Sequence, residues 1–359
     1  MNNQNTWKLE NLPPQIEIET KRILKSLPKA HAALAELKGI ALSIPNQNIL
    51  INTLGLQEAK DSSAIENIIT THDELYKSEL NLKSIKKLEA KEVQSYIEAL
   101  KKGYSLVSER KMLTSNMILE IQQILENNKA GFRKLPGTAL KNSTTGETVY
   151  TPPQDYDTIN NLMSNLEKFI NNETMSDYDS LVKMGIIHFQ FESIHPFYDG
   201  NGRTGRIINI LYLILEELLD LPILYLSSYI IKYKSDYYKL LQEVRDTNEW
   251  EKWLLYIIKG VETTSKETIQ LILSSKVLML SMKHNLRSNY KFYSQDLLNN
   301  LFKHPYTKIE FIVEDMGVSR ITAGNYLNKL AKDGILEKKK IGTGNYYINL
   351  KLFELLTKR

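Results

Sequence analysis

Apolar residues recur every three or four positions through most of the chain, which is the spacing of amphipathic helices. Residues 7–20 form a polar, proline-containing arm, and the helical pattern starts near Glu17. A first helix is indicated by the apolar positions Ile23, Leu27, Leu34 and Leu37. Further helices are predicted over Asn48–Ala59, Ser62–Thr70, Leu88–Leu106, Ser115–Glu126, Tyr156–Ile170, Asp179–Ile194, Thr204–Leu215, Ser235–Val244 and Trp250–Leu273. The fold class is therefore mainly α.

The helical pattern is interrupted between Gly131 and Pro153. Two short β-prone runs lie on either side of Asn142–Gly146, which predicts a β-hairpin. The hairpin is either a plain surface feature or an element of a binding site. We call residues 131–153 the flap.

The C-terminal segment has a different pattern. Helices are predicted over Ser294–Phe302, Lys308–Met316 and Arg320–Asp333, with Gly317 in the turn between the last two. Two β-prone runs, Gly334–Glu337 and Asn345–Ile348, then surround a basic stretch that includes Lys338–Lys340. The order resembles a winged helix. Such a unit binds DNA or serves as a protein-binding or dimerisation module, and the sequence leaves both open.

Composition narrows the class of protein. Hydrophobic residues make up 42% and charged residues 25%, which is ordinary for globular proteins, and the absence of cysteine excludes disulfides and Fe–S clusters. No apolar run approaches the ~20 residues of a spanning helix, and the first residues do not resemble a signal peptide, so we expect a cytoplasmic protein without membrane contact. The net charge is +4, and from Lys283 onward basic residues outnumber acidic ones, which favours nucleic acid only weakly.

The run from His195 to Arg206 carries most of the chemistry, and we call it the signature loop. His195 can accept a proton near neutral pH, and Asp199 is an oxygen ligand suited to Mg²⁺. Gly200 and Gly202 allow backbone N–H groups to converge on an anion. Arg203 and Arg206 share a helical face and can both reach phosphate oxygens. These residue types suit a nucleoside triphosphate.

Two other interpretations of this region are weaker. Residues 200–205 fit the dinucleotide pattern G-x-G-x-x-G, but that pattern requires a preceding strand, whereas a helix is predicted here. His188, Glu192 and His195 lie at helical spacing, as in a zinc site. Pro196 disfavours helical geometry at His195, and no second ligand cluster is present, so we interpret His188 as structural.

The signature loop resembles the motif of Fic domains, His-Pro-Phe-x-(Asp/Glu)-Gly-Asn-(Gly/Lys)-Arg-x-x-Arg, and every fixed position is met. The resemblance implies a helical core that transfers AMP from ATP, with Mg²⁺, to a Ser, Thr or Tyr hydroxyl of a protein. His195 would deprotonate that hydroxyl, Asp199 would hold Mg²⁺, and Arg203 and Arg206 would bind the β- and γ-phosphates. The remaining nucleotide-binding positions implied are Gly200, Asn201, Gly202, Thr204, Gly205 and Tyr238.

The same resemblance assigns a role to the flap. In Fic proteins a hairpin at this position aligns an extended segment of the target beside the active site through main-chain pairing. The target-docking residues implied here are Thr148, Val149, Tyr150 and Thr151. Arg245, with Tyr238, is expected on the adenine side of the pocket.

Ser62-x-x-x-Glu66-Asn67 resembles the Fic inhibitory motif, and we call residues 62–67 the inhibitory segment. Glu66 would form an ion pair with Arg206 and so keep this arginine from the γ-phosphate. The alternative is a capping box, in which Ser63 and Glu66 cap the start of a helix. The resemblance favours the inhibitory interpretation, with the motif on a helix over residues 62–70.

Together these patterns predict an N-terminal helical region over residues 1–110, a Fic core over 111–275 and a winged helix over 285–359. The leading hypothesis is an autoinhibited protein adenylyltransferase. The alternatives are a Fic enzyme that uses another nucleotide donor or removes AMP, and a DNA-binding regulator that senses ATP. A homodimer is plausible, but no residue establishes it.

Overall fold

The computed structural model describes residues 9–79, 88–141, 145–341 and 344–357. The helices found in these ranges, besides a 3₁₀ turn at Glu173–Met175, are α1 (Lys21–Ala41), α2 (Asn48–Ile65), α3 (His72–Glu79), α4 (Leu88–Arg110), α5 (Ser115–Glu126), α6 (Tyr156–Asn171), α7 (Ser180–Ile194), α8 (Asn201–Leu215), α9 (Leu226–Lys232), α10 (Lys234–Thr247), α11 (Glu251–Asn289), α12 (Gln295–Lys303), α13 (Ile309–Met316), α14 (Arg320–Lys332) and α15 (Leu350–Thr357). None of these helices is both long and apolar enough to cross a membrane. The prediction of a mainly α fold is confirmed.

The strands form two small antiparallel sheets. In the flap, β1 (Leu140–Lys141) pairs with β2 (Thr148–Tyr150) as a hairpin, and the predicted turn residues 142–144 lie outside the described ranges. In the C-terminal segment, β3 (Tyr306–Thr307), β4 (Glu337–Ile341) and β5 (Gly344–Ile348) form a sheet in the order β3-β5-β4. The elements α12 to α15 with this sheet are called the C-terminal domain.

Three predicted boundaries are wrong. The first β-prone run of the C-terminal segment, predicted over Gly334–Glu337, is instead β4 over Glu337–Ile341, which contains the basic Lys338–Lys340. The separate helix over residues 62–70 does not exist, because α2 continues without a break to Ile65. No glycine or proline stands between its predicted end and Ser62, and Ser62, Ser63 and Ile65 are buried on its inner side. Similarly, α11 runs well past Leu273, because Met279, Met282 and Leu286 extend its buried face. Helices α3, α9 and α15 and strand β3 were not predicted.

Helices α7 and α8 lie at the centre of the molecule. Every residue of α7 from Leu181 to Ile194 is buried, as is nearly every residue of α8. Polar side chains such as His188 and Glu192 are buried along with the apolar ones, so α7 is enclosed on all sides. Helices α4, α5 and α11 pack around this pair. The signature loop is thus the connection between two rigid, buried helices.

The C-terminal domain packs against α2 and α3. The buried side chain of Gln57, in α2, donates a hydrogen bond to the carbonyl of Leu356 in α15 at 3.1 Å. The hydroxyl of Tyr306 donates to Asp73 in α3 at 2.6 Å, and the ring of Tyr306 stacks on that of Tyr76. This domain therefore contacts α2, which contains most of the inhibitory segment, and α3, which follows that segment.

Candidate active site

The signature loop begins where α7 is forced to end. His195 adopts a left-handed conformation with φ of 49°, and its N–H still donates to the carbonyl of Phe191 at 2.9 Å. Pro196 has no N–H with which to continue the helix. Gly200, with φ of 75°, then caps the start of α8, a conformation that glycine adopts at little cost. The imidazole of His195 therefore lies on a sharp turn between two helices.

The side chain of Asn201 closes this loop. Its amide oxygen accepts the N–H of Phe197 and its amide nitrogen donates to the carbonyl of Phe197, both at 2.9 Å. The expected role of Asn201 in an anion hole therefore belongs to its backbone. The first N–H groups of a helix have no acceptor within the helix, and those of Asn201 and Gly202 lie in the first turn of α8.

Arg206 is buried and fully engaged by the inhibitory segment. Its Nε donates to Ser62 Oγ at 2.7 Å, and its Nη2 donates to the Ser62 carbonyl at 2.9 Å and to Glu66 Oε1 at 2.7 Å. Burial alone would lower the pKa of Arg206, but the carboxylate of Glu66 raises it above its usual value. The predicted ion pair is thus present in the structure, and its inhibitory effect stays a prediction.

Arg203 is held by three carboxylates. Its Nε lies 2.9 Å from Glu66 Oε2, its Nη1 lies 3.1 Å from Glu92 Oε2 and its Nη2 lies 2.9 Å from Glu126 Oε1. Glu66 therefore bridges both arginines of the signature loop. Sequence reasoning missed Glu92 and Glu126, which lie on α4 and α5 far from the motif and carry no local pattern that would indicate the contact.

Carboxylates outnumber arginines around Arg203. Burial, together with the neighbouring carboxylates of Asp199, Glu66 and Glu92, raises the pKa of Glu126 to about 7, although Arg203 lowers it. A side chain at position 202 would collide with the carboxylate of Glu66, and one at 200 with that of Glu126. Both carboxylates therefore lie directly against the glycines of the signature loop.

The residue types of the inhibitory segment suit the way in which α2 ends. Glu66 caps the helix, Asn67 follows with φ of 66°, and the N–H of Ile68 returns to the carbonyl of Ser63 at 3.1 Å. Asparagine and glycine adopt this left-handed conformation more easily than other residues. The capping-box alternative is wrong, because Ser63 lies in the last turn of α2 rather than ahead of a helix.

His195 is surrounded by groups that keep its imidazole neutral. Burial, followed by the nearby Arg133 and Arg245, lowers its pKa to about 4. At neutral pH the ring is therefore unprotonated and can accept a proton. Arg133 was not predicted as part of the site, yet its Nε donates to the carbonyl of His195 at 2.8 Å.

Asp199 fits the Mg²⁺ role by its chemistry and position. Its side chain is exposed beside the loop, and one of its oxygens accepts the N–H of Gly200 at 2.7 Å. Mg²⁺ commonly binds one or two carboxylates and completes its shell with water and phosphate oxygens. The described residues contain no group of three or more acidic or histidine side chains that could hold a metal by themselves, and Mg²⁺ binding at Asp199 stays a prediction.

The predicted docking residues of the flap differ in their exposure to solvent. Thr148, Val149 and Thr151 are exposed, whereas Tyr150 is buried and its hydroxyl donates to the Ser193 carbonyl at 2.8 Å. Arg245 lies 4.0 Å above the ring of Tyr150. This guanidinium is buried beneath the flap, and its expected place on the adenine side stays a prediction.

The other predicted nucleotide-binding residues differ in exposure. Tyr238 is 49% exposed and lies edge-on against Tyr237, so its ring is open to contact with a ligand. Thr204 is fully buried, and Gly205 packs tightly against Phe191 and Glu192 on α7. These two residues serve the packing of α8 on α7.

His188 has a structural environment. Its Nε2 lies 2.8 Å from the hydroxyl of Tyr237 and its Nδ1 lies 3.1 Å from Nδ2 of Asn209, while the ring stacks on Trp253. Burial lowers its pKa to about 3. The polar contacts of the ring are thus made within the core, as the structural interpretation of His188 expects.

Comparison with known proteins places this geometry in context. Three family models match successive segments, namely "Fic/DOC family N-terminal" over residues 24–105, "Fic/DOC family" over residues 112–213 and "Protein adenylyltransferase SoFic-like, C-terminal domain" over residues 278–352. A probable protein adenylyltransferase of Aquifex aeolicus is 33% identical over 129 residues, which are 35% of this chain and 39% of that protein. The match thus spans well under half of the curated relative's length.

Solved structures share the fold at low sequence identity. A Fic family protein from Desulfovibrio desulfuricans is similar over 94% of this chain and 98% of its own, with a TM-score of 0.61 and 19% identity. Residues 134–508 of Fic-1 from C. elegans match over 71% of this chain and 74% of that one, with a TM-score of 0.55 and 19% identity. A Fic domain containing signaling protein from Bacteroides thetaiotaomicron covers 70% and 96%, with a TM-score of 0.53 and 17% identity.

Proposed function

Because the chain belongs to the Fic/DOC family, we propose that it is an autoinhibited protein adenylyltransferase. It moves AMP from ATP to a Ser, Thr or Tyr hydroxyl of a target protein or of itself. The observation that carries the proposal is the position of Glu66, whose carboxylate bridges Arg203 and Arg206 beside a neutral His195. In this proposal His195 is the base, Arg203 and Arg206 are the cations that bind phosphate, and the carboxylate of Glu66 occupies the phosphate position.

The transfer follows from the residues of the signature loop. His195 takes the proton of the target hydroxyl, whose oxygen then attacks the α-phosphorus of ATP. The bond from the α-phosphorus to the oxygen bridging it to the β-phosphate breaks, and pyrophosphate leaves with the electron pair. Phosphoryl chemistry depends mainly on alignment and charge neutralisation, which the first turn of α8 with Arg203 and Arg206 provides. Asp199 would hold Mg²⁺, which would supply further neutralisation of phosphate charge.

Inhibition follows from the same contacts. While Glu66 occupies both guanidinium groups, the β- and γ-phosphates cannot bind them, and the carboxylate repels the triphosphate. A hydrogen bond to a charged group contributes about 1.5–3 kcal/mol, so the competition changes the population of correctly bound ATP by about tenfold or more. Release requires the side chain of Glu66 to leave both arginines.

The test uses ATP labelled on either the α- or the γ-phosphate, with wild type, Glu66→Gly and His195→Ala. We expect label on the protein from the α-position alone, strongest in Glu66→Gly and absent in His195→Ala. Label from the γ-position would indicate phosphate transfer instead and would overturn the proposal. Equal α-label in wild type and Glu66→Gly would support the transferase activity but contradict the inhibitory role of Glu66.

The contacts of the C-terminal domain do not favour DNA binding as a second function. Arg320, at the start of α14, forms an ion pair with Glu310, and Lys338 donates to Asn328 at 2.8 Å. In a DNA-binding winged helix, Arg320 would contact DNA from the start of α14 and Lys338 would contact phosphate, and each has a partner within the domain. Ile321 is 78% exposed on the same first turn, and an apolar side chain there suits a protein surface better than phosphate.

A further inference from the structure

Two buried arginines lie beside the catalytic turn without a direct carboxylate contact among the described residues, although Glu192 interacts with Arg245 at longer range. Arg133 is fully buried and Arg245 is 5% exposed, and neither forms an ion pair within the part of the chain that the structure describes. Burying a cation without a carboxylate partner is unfavourable, so it is kept only where neighbouring groups or a function compensate for it. The contacts of each guanidinium indicate that function.

Arg133 binds three successive carbonyls of the catalytic turn. Its Nη2 donates to Ile194 at 3.3 Å, its Nε donates to His195 at 2.8 Å and its backbone N–H donates to Pro196 at 2.8 Å. The same Nη2 also donates to the carbonyl of Pro153, at the far end of the flap. One residue therefore joins both ends of the flap to the turn that carries the base.

Arg245 supports the turn from α10. Its Nε donates to Ser193 Oγ at 3.2 Å, and its guanidinium stacks on Tyr150, whose hydroxyl donates to the carbonyl of the same serine. The backbone from Ser193 to Pro196 is thus held on one side by Arg245 through Tyr150 of β2, and on the other by Arg133.

We infer that Arg133 and Arg245 are positioning residues that fix His195 relative to the flap. The inference rests on the proposed function and adds to it how the acceptor hydroxyl meets its base. A target segment aligned on β2 is placed with respect to Tyr150 and Pro153, and the same two residues contact these arginines. Displacement of a reacting group by about 1 Å can lower a reaction rate about 100-fold. The contacts that join the flap to the turn carrying His195 therefore affect the rate of AMP transfer.

The guanidinium fork is required, because a lysine cannot donate in several fixed directions at once. The positive charge of each arginine has a separate effect, on the pKa of His195. Arg133 and Arg245 favour the neutral imidazole, whereas Asp199 favours the protonated one. Substitution by lysine keeps the charge and loses the fork, whereas methionine loses both. The two substitutions therefore separate geometry from electrostatics.

The experiment measures AMP transfer to the protein itself in the Glu66→Gly background, at saturating ATP, with ATP affinity measured by calorimetry. We expect Arg133→Lys and Arg245→Lys each to lower the transfer rate by about tenfold or more while the Kd for ATP changes less than about twofold. In Arg133→Met the acid limb of the rate against pH also moves to higher pH, because the pKa of His195 rises once the cation is gone. In Arg133→Lys that limb stays in place.

Tyr150→Phe serves as a second variant if the arginine variants do not fold, as judged by thermal unfolding. It removes the hydroxyl bond to the Ser193 carbonyl, keeps the aromatic ring, and is expected to lower the rate several-fold. Arg110→Met, at an exposed arginine remote from the site, is the matched control and keeps the Glu66→Gly rate. Full transfer in Arg133→Lys or Tyr150→Phe, or a loss of rate matched by loss of ATP binding, overturns the inference. Absence of transfer in the Glu66→Gly parent itself contradicts the proposed function instead.

Discussion

At the scale of single residues, one carboxylate controls the state of the site. The two oxygens of Glu66 are divided between Arg206 and Arg203, so its displacement would free a donor on each arginine at once. The sequence motif predicts the contact with Arg206 but gives no indication of the contact with Arg203. After Glu66 leaves, Glu92 and Glu126 still hold Arg203. The uninhibited site therefore keeps a negative environment around this arginine.

We predict that Glu126→Gln, added to Glu66→Gly, increases ATP affinity by roughly fivefold or more, because one carboxylate within Coulombic range of the triphosphate is removed. With Glu66 present the pKa of Glu126 is about 7, and without that neighbouring carboxylate it is lower, so the carboxyl of Glu126 is charged at pH 8 and gains protons as the pH falls. The gain in affinity should therefore be larger at pH 8 than at pH 6. Calorimetric titration with ATP at both pH values measures it.

The exposed Glu120→Gln, on the same helix α5, is the control and should leave ATP affinity unchanged. Weaker ATP binding in Glu126→Gln would mean that Glu126 orients Arg203 for phosphate rather than competing with it.

The candidate site could be predicted from sequence only where it is local. The signature loop is contiguous, so His195, Asp199 and the two arginines are recognisable from their spacing. Arg133 and Glu126 reach the site from about seventy residues earlier in the chain, because the flap contacts the turn after α7 and α5 packs against α8. Their role depends on that packing, and an isolated Arg or Glu carries no periodic or motif signal.

At the scale of elements, the end of α2 sets the geometry of inhibition. The helix continues to Ile65, and the left-handed Asn67 turns the chain so that Glu66 faces Arg206. The sequence predicts helices on both sides of Ala59 but places a boundary there, since the polar residues that follow resemble a helix start. Tertiary packing of Ser62 and Ser63 instead continues the helix.

We predict that Asn67→Gly leaves inhibition intact, whereas Asn67→Val weakens it. A β-branched residue in the left-handed conformation costs about 1–2 kcal/mol, which glycine avoids. The expected result is AMP transfer by Asn67→Val several-fold above wild type, and transfer by Asn67→Gly equal to wild type, in the α-label assay. Equal rates in both variants and wild type would show that the position of Glu66 does not depend on this turn.

At the scale of the whole molecule, the C-terminal domain contacts the chain on both sides of Glu66. Gln57, one turn and a half before Ser62, is tied to α15, while α3, which follows the segment, is tied to β3 through Asp73 and the Tyr76–Tyr306 stack. Helix propensity and turn patterns predict this domain as a unit, but they carry no information on which helices it packs against. Only the three-dimensional arrangement reveals that connection.

We predict that Tyr306→Ala raises AMP transfer of the wild-type sequence several-fold and leaves the Glu66→Gly rate unchanged. The substitution removes the ring stack and the hydrogen bond to Asp73, and so loosens the chain that positions Glu66. Initial rates in the four proteins of the double-mutant cycle give the coupling between the two sites. The same fold-change in both backgrounds would mean that the domain acts independently of Glu66.

The most direct test of the account is the intact mass of wild type, Glu66→Gly and Glu66→Gly/His195→Ala after incubation with ATP and Mg²⁺. Glu66 and His195 are the two residues on which inhibition and transfer depend in this account. We predict a mass increase of one AMP unit in Glu66→Gly, little or none in wild type and none in the double variant. A mass increase in the double variant equal to that in Glu66→Gly would contradict His195 as the base, and unmodified Glu66→Gly protein would contradict the inhibited-transferase account as a whole.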